Sequence, residues 1–187
     1  MNLQRKSVNF QCKTVNLRGE NQAVTGVVIH DNVITGNRNG LDINNSNGHT
    51  VRNNVIDFNR TGLIYRNQTD YHTVVENFIT NNWTVGILFL DASGGTNSPV
   101  QSALHSTFSN NNISANWYGQ IVDRQTGGSL PAPAATNYKN FIGNWYGTTT
   151  TVVSTTNSEG SGGLFRRLPP RLGSLPFTGC RARRRDS

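Results

Sequence analysis

The chain has little that is apolar. Hydrophobic residues fill 34% of its 187 positions, less than a thick α/β core calls for. No apolar run approaches the ~20 residues of a membrane-spanning helix. The opening residues, MNLQRKSVNFQCK, lack the apolar stretch of a secretory signal. They read like the middle of a repeat array, so the chain is expected to be a piece of a longer protein. Cysteine is nearly absent. Cys12 and Cys180 stand near opposite ends with no CxxC spacing, which supports neither a zinc site nor a disulfide framework. A buried thiol and a tail thiol are expected. There is no Gly-rich phosphate loop, nucleophile elbow or HExxH helix.

Charge is also scarce outside the C-terminus. Residues 160–187 hold seven Arg against Asp186, a balance of +6, which leaves +1 of the net +7 for residues 1–159. The basic pI therefore describes the tail. Non-specific, salt-sensitive contact of that Arg cluster with acidic polymers is conceivable, but no specific nucleic-acid partner is expected.

Asn, Thr and Gly are abundant, and they repeat. The unit is N-x-I-x-x-N followed by Gly. It occurs as Asn32–Asn37 with Gly40, Asn54–Asn59 with Gly62, Asn77–Asn82 with Gly86, and Asn111–Asn116 with Gly119. A shorter copy runs Asn140–Asn144 with Gly147. The leading Asn residues lie 22, 23, 34 and 29 positions apart. A coil of about 22 residues holds three short strands and three turns, stacked at ~4.8 Å per coil. Apolar residues precede each copy at Ile29, Val51, Val74 and Phe108, and a short strand follows each Gly. No coil can bury its own side chains, so stacking supplies the core. Leucine-rich and hexapeptide solenoids are excluded, since the chain has neither several Leu per repeat nor a six-residue period.

The segments Asn39–Ile43, Thr50–Ile56 and Asn59–Ile64 resemble the repeats of right-handed parallel β-helix proteins of the pectin-lyase-like superfamily. The resemblance covers about residues 25–147. It implies an all-β, right-handed parallel β-helix of five to six coils over residues 1–147. That superfamily contains polysaccharide lyases, glycoside hydrolases, uronan epimerases, tailspikes and adhesins, so the implied setting is extracellular or cell-surface and the implied partner a glycan. Two activity classes stay open, a polysaccharide lyase or hydrolase and a non-catalytic adhesive module; a truncated solenoid without activity is the third reading.

Read as files along the stack, the repeat places Arg38, Arg60, Trp83, Trp117 and Trp145 in one column after the second Asn. Asn39, Thr61, Thr84, Tyr118 and Tyr146 form the next. The rings either offer a platform to sugars, with Arg38 and Arg60 meeting carboxylates, or pack on one another along the core edge. Two long links, 91–107 and 123–137, leave one corner in the later coils. Asp91 and Asp123 open them, with Arg66 one coil earlier. As catalytic residues, Asp91 and Asp123 would be a carboxylate pair or Arg66 and an Asp would serve a lyase; as structural ones, each Asp ends a strand.

His49 and His72 share a place on successive coils, with Asp70 nearby. Exposed turn residues are the expectation, and a metal pair needs a third ligand. Asp31, Asn53, Glu76 and Asn110 form a file of hard oxygens where Ca²⁺ is conceivable; no other cofactor is expected. Asn67-Gln68-Thr69 and Asn82-Trp83-Thr84 match glycosylation sequons. Beyond 147 the pattern stops. A Thr/Ser/Gly linker and a basic, disordered tail over 148–187 are expected. Within it, Leu175–Gly179 resembles a sortase signal without the hydrophobic span such signals need. Exposed coil ends predict some homo-oligomerisation.

Overall fold

The structure is a computed structural model, and it describes residues 14–19, 24–90, 102–124, 139–148 and 153–154. All of them lie in the unit Met1–Asn157. Both cysteines, Asp91, the middles of the two long links, and the tail with its Arg run and Leu175–Gly179 lie outside the described residues.

Every described strand pairs in parallel. Sheet 1 stacks Val15–Arg18, Asn39–Asn44, Thr61–Arg66, Val85–Leu90, Gly119–Asp123 and Val153–Ser154. Sheet 2 stacks Val28–His30, Thr50–Arg52, Thr73–Val75, Thr107–Ser109 and Asn140–Ile142. Sheet 3 stacks Val33–Thr35, Val55–Asp57, Phe78–Thr80 and Asn112–Ser114. A short pair, Val24–Thr25 with Ser46–Asn47, completes the set. Each coil runs sheet 2, sheet 3, sheet 1. The fold is the parallel β-helix that the Asn repeat predicted.

The core follows from strand alternation. Sheet 3 buries its middle residue, giving the file Ile34, Ile56, Ile79, Ile113. Sheet 2 buries Ile29, Val51, Val74 and Phe108. Sheet 1 turns two files inward: Val15, Leu41, Leu63, Ile87, Ile121, and Leu17, Ile43, Tyr65, Phe89, Asp123. Burial of these apolar files is the main favourable term, at about 25 cal/mol per Å².

Three corners join the sheets. At the first, between sheets 2 and 3, each Asn takes two bonds from the coil before it. Asn54 N–H and Nδ2 donate to Asn77 Oδ1, both at 3.0 Å. The Asn54 amide also donates to Ile29 O and Arg52 O. Asn32, Asn77 and Asn111 repeat the scheme. The second corner, between sheets 3 and 1, does the same with Asn37, Asn59, Asn82 and Asn116. The residue before each first-corner Asn takes a left-handed turn: Asp31, Asn53, Glu76 and Asn110 have φ of 54–57°.

The next file needs glycine. A Cβ on Gly40 would lie 2.6 Å from Gly62 O, and one on Gly62 would lie closer still to Gly86 O. At the fourth coil this file holds Gln120, because Gly119 pairs with Val85 and Ile121 with Ile87. The sequence placed Gly119 there. The register corrects that by one residue, since the turn Trp83–Thr84 is one residue longer than Arg60, as the pairing Thr61 with Val85 shows.

Candidate functional site

The fifth copy of the repeat is shifted from its sequence alignment. Asn140–Ile142 pairs with Thr107–Ser109 in sheet 2, not with sheet 3. Phe141 stacks on Phe108 at 4.4 Å, with the rings 3° from parallel. Asn144, not Asn140, closes the first ladder, accepting Asn111 N–H and Nδ2 at 2.9 Å each. The letters Asn-Phe-Ile mimic a sheet-3 strand, but the aromatic core around Phe89 and Phe108 takes Phe141. Two site assignments move with it. Trp145 bridges to Asn112 and so leaves the Trp83–Trp117 file. Tyr146 follows it into the core file after Ile113, half-buried against the core. Its burial pushes the hydroxyl pKa up, opposed by a hydrogen bond to Asn144.

These moves build one face. The first residues of the sheet-3 strands point outward as Val33, Val55, Phe78 and Asn112, and Trp145 extends that file. The third residues form a second outward file, Thr35, Asp57, Thr80 and Ser114. Phe58 follows at φ 49° with its ring exposed. Across the second corner lie Arg38, Arg60, Trp83 and Trp117; the N–H groups of the last three donate to the carbonyls of Asn37, Asn59 and Asn82 on the coil before. Tyr118 stacks on Trp117 at 5.8 Å. Phe78 is 54% exposed, Trp83 49% and Trp145 52%. Six of the eight exposed large apolar side chains among the described residues lie on this face and its corner: Val33, Phe58, Phe78, Trp83, Tyr118 and Trp145. Exposed apolar side chains gathered on one face mark an interaction site more often than ones scattered singly. Trp83 and Trp117 were legible in the sequence; Phe58 and Phe78 were passed over because their files change residue type from coil to coil.

Asp57 is the one acid in the two strand files. Burial raises its carboxyl above the ordinary range, and a hydrogen bond from Thr35 works against that rise.

The residues expected to be catalytic are not brought together among the described ones. Asp123 sits in the inward file after Phe89. Lys139 meets it at 2.8 Å and lies 4.8 Å from the Phe89 ring centre. Arg66 belongs to the outward file of Asn44 and Leu90, on the opposite side of sheet 1. Its guanidinium grips the buried carboxylate of Asp42, with Nε at 2.9 Å from Oδ1. The sequence missed Lys139 and Asp42 as partners because both lie far from Asp123 and Arg66 along the chain.

His49 and His72 are buried, not exposed turn residues. They stack at 5.2 Å inside the third corner, between sheets 1 and 2. His49 Nδ1 accepts Val27 N–H at 3.2 Å, and His72 Nδ1 accepts His49 N–H at 3.2 Å. Ser106 Oγ accepts His72 N–H at 2.9 Å. An accepting Nδ1 puts the ring proton on Nε2, and His72 Nε2–H donates to Thr69 Oγ1 at 2.9 Å. Neither ring then offers a lone pair to a metal. Asp70 is likewise spent, accepting His105 N–H at 2.7 Å and His105 Nδ1–H at 2.6 Å while Tyr71 stacks on that imidazole at 5.3 Å. Asp31 is taken by His30. No group of three His, Cys, Asp or Glu able to hold a metal lies among the described residues. No helix among the described residues is long and apolar enough to cross a membrane. The sequon Asn82 is locked in the second ladder, with Nδ2 bonded to Ile56 O and Asn116 Oδ1.

Among known protein families, residues 8–98 are similar to the one described as periplasmic copper-binding protein (NosD). The likeness spans a little under half of the chain. No curated protein and no solved structure matches it.

Proposed function

We propose that this chain is a non-catalytic β-helix module that binds a glycan on the outer face of sheet 3 and the second corner. The observation that carries this reading is the gathering of six of the eight exposed large apolar side chains on that face. Sugar rings present C–H faces that stack on aromatic rings, and their hydroxyls bond to neighbouring polar groups. The face offers both, since Phe78 and Trp145 run beside a file of Thr and Ser hydroxyls. The rigid stack fixes those groups at ~4.8 Å intervals, which lowers the ordering cost of binding an extended chain. We place the module outside the cytoplasm, in keeping with the periplasmic family it resembles and with polymeric glycan as its partner.

Copper, which the name of that family carries, finds no fitting donor set in the described coils. The buried histidines use their Nδ1 lone pairs on backbone N–H groups, and the surface His30 and His105 are each paired with an Asp.

The test is a double substitution, Phe78→Ala with Trp83→Ala. Titration with plant and bacterial polysaccharides, followed by tryptophan fluorescence and affinity electrophoresis, should show binding by the native chain. The double variant should bind at least tenfold more weakly, a change of about 1.4 kcal/mol, with its urea midpoint nearly unmoved. Undiminished binding in the variant, or none by the native chain across the panel, overturns the reading.

A further inference from the structure

Among the described residues, from the third coil onward, the two strand files and the second corner carry no Asp, Glu, Lys, Arg or His, and the acid that flanks them is Glu76, exposed at the first corner two residues before Phe78. The residues of those files and of the second corner are aromatic rings, hydroxyls and amides, of which Phe78, Thr80, Trp83, Asn112, Ser114 and Trp145 are the outward-facing set. Arg38 and Arg60 stand only at the corner of the first two coils. An anionic polysaccharide is held through cations set against its carboxylates or sulfates; among the described residues the patch has only Arg38 and Arg60, at its first-coil and second-coil edge, and none beside Phe78, Trp83, Trp117 or Trp145. The single charge in the strand files is negative. It is Asp57, between Thr35 and Thr80 in its file, beside Val55 on the same strand and followed by the exposed ring of Phe58. Its register neighbours Thr35 and Thr80 both carry hydroxyls, and a carboxylate has two oxygens with which to accept sugar hydroxyls.

We infer that this face selects a neutral, hydroxyl-rich glycan, and that Asp57 is the specificity-determining residue that accepts sugar hydroxyls and turns carboxylated chains away. The inference rests on the glycan-binding reading and narrows its substrate class. A carboxylate is a strong acceptor for two neighbouring hydroxyls of a pyranose. It also repels a uronate on the same ring, and partial burial makes that repulsion harder for water to screen.

Fluorescence titration with two sets of oligosaccharides of equal length decides it. One set contains β-linked glucose, mannose and galactose chains, and the other contains polygalacturonate and alginate chains. The native chain should bind its best neutral ligand at least tenfold more tightly than any uronate, with little dependence on salt. Asp57→Asn keeps the side-chain shape and removes the charge. It should weaken neutral binding several-fold and bring the neutral-to-uronate ratio close to one. A native chain that prefers uronates, or an Asp57→Asn chain with an unchanged ratio, overturns this inference. In the first case the glycan-binding reading survives if Phe78→Ala with Trp83→Ala still abolishes uronate binding. If neither set binds, both fall together. Thermal melts of Asp57→Asn confirm that a lost ratio reflects recognition and not unfolding.

Discussion

The first and third corners answer the same demand with different chemistry. At every coil, a turning backbone N–H must find an acceptor on the coil that follows. The first corner supplies it with an amide oxygen, from Asn54, Asn77, Asn111 and Asn144 in turn. The third corner supplies it with an imidazole nitrogen from His49 and His72, then a hydroxyl from Ser106. The amide brings a donor as well, and its Nδ2 ties each coil to two more carbonyls. The imidazole brings a flat apolar body that packs against Tyr65, and a proton that the buried site refuses. The difference teaches that the backbone fixes the need for an acceptor, while the side chain chosen decides whether the corner is strong at all pH values or only above a threshold. Both long links leave sheet 1 toward the third corner, and the chain's insertions are concentrated there.

The comparison breaks first if the Asn corner proves replaceable. Asn77→Ala removes the acceptor for Asn54 N–H and Nδ2 and the donor to Val51 O, all in the interior, and one of two donors to the half-buried Val75 O, which keeps Asn53 N–H. Buried groups left unpaired cost about 1–3 kcal/mol each, so a loss of roughly 5 kcal/mol is expected in urea melts, enough to abolish a cooperative transition. A loss below about 1 kcal/mol would mean that water or a neighbour can stand in for the ladder.

Acid is the matching test of the His corner. Burial lowers the pKa of His49 to about 4, and burial together with the charge of His49 lowers that of His72 to about 3. The unfolded chain, with both rings near the ordinary 6.5, binds protons that the folded chain refuses. The contribution is therefore complete above about pH 6.5 and is lost as pH falls from there toward the folded values. Near pH 5 each ring costs about 2 kcal/mol by linkage, or about 4 kcal/mol for the pair. Melts at pH 7 and pH 5 measure it, and His49→Gln should remove about half of the slope. Stability that stays flat between those pH values would show that the corner opens to water.

How much of this was legible in the sequence varies by element, for a physical reason in each case. The Asn ladders were readable because every coil needs the same group in the same place, so the letters recur. The fifth copy was misread because Asn-Phe-Ile satisfies the motif while its Phe141 is claimed by the aromatic core, a competition only three-dimensional packing decides. His49 and His72 recurred visibly, but a turn position suggests solvent, and nothing in the sequence says that this turn folds inward. Asp123 looked like a strand-ending acid; the register puts it one place after Phe89 in a core file, where it needs Lys139. The face was half visible. Trp83 and Trp117 repeat, whereas Phe58, Phe78 and Asp57 lie at outward places that no structural demand holds constant. Outward files are where function is free to write, and periodicity is weakest there.

The smallest effect concerns how an Asn corner stops. The first ladder ends on Asn144, another amide from the next coil. The second ends within its own coil. Gln120 turns back so that Oε1 accepts Asn116 N–H at 3.3 Å and Nδ2 at 2.8 Å, in the place of a following Asn. It stands in the register place of Gly40, Gly62 and Gly86, and its longer side chain spans the four-residue return to Asn116. Gln120→Ala should orphan those two donors at a half-buried site and cost about 1–2 kcal/mol. Gln120→Asn keeps the amide but shortens the reach by one methylene. If Gln120 acts as the terminal rung, Gln120→Asn should be as damaging as Gln120→Ala, although an Asn amide supplies this acceptor, from the ladder position, in every coil below. A Gln120→Asn chain as stable as the native one would show that the second ladder ends on solvent and that the contrast between the two Asn corners is only geometric.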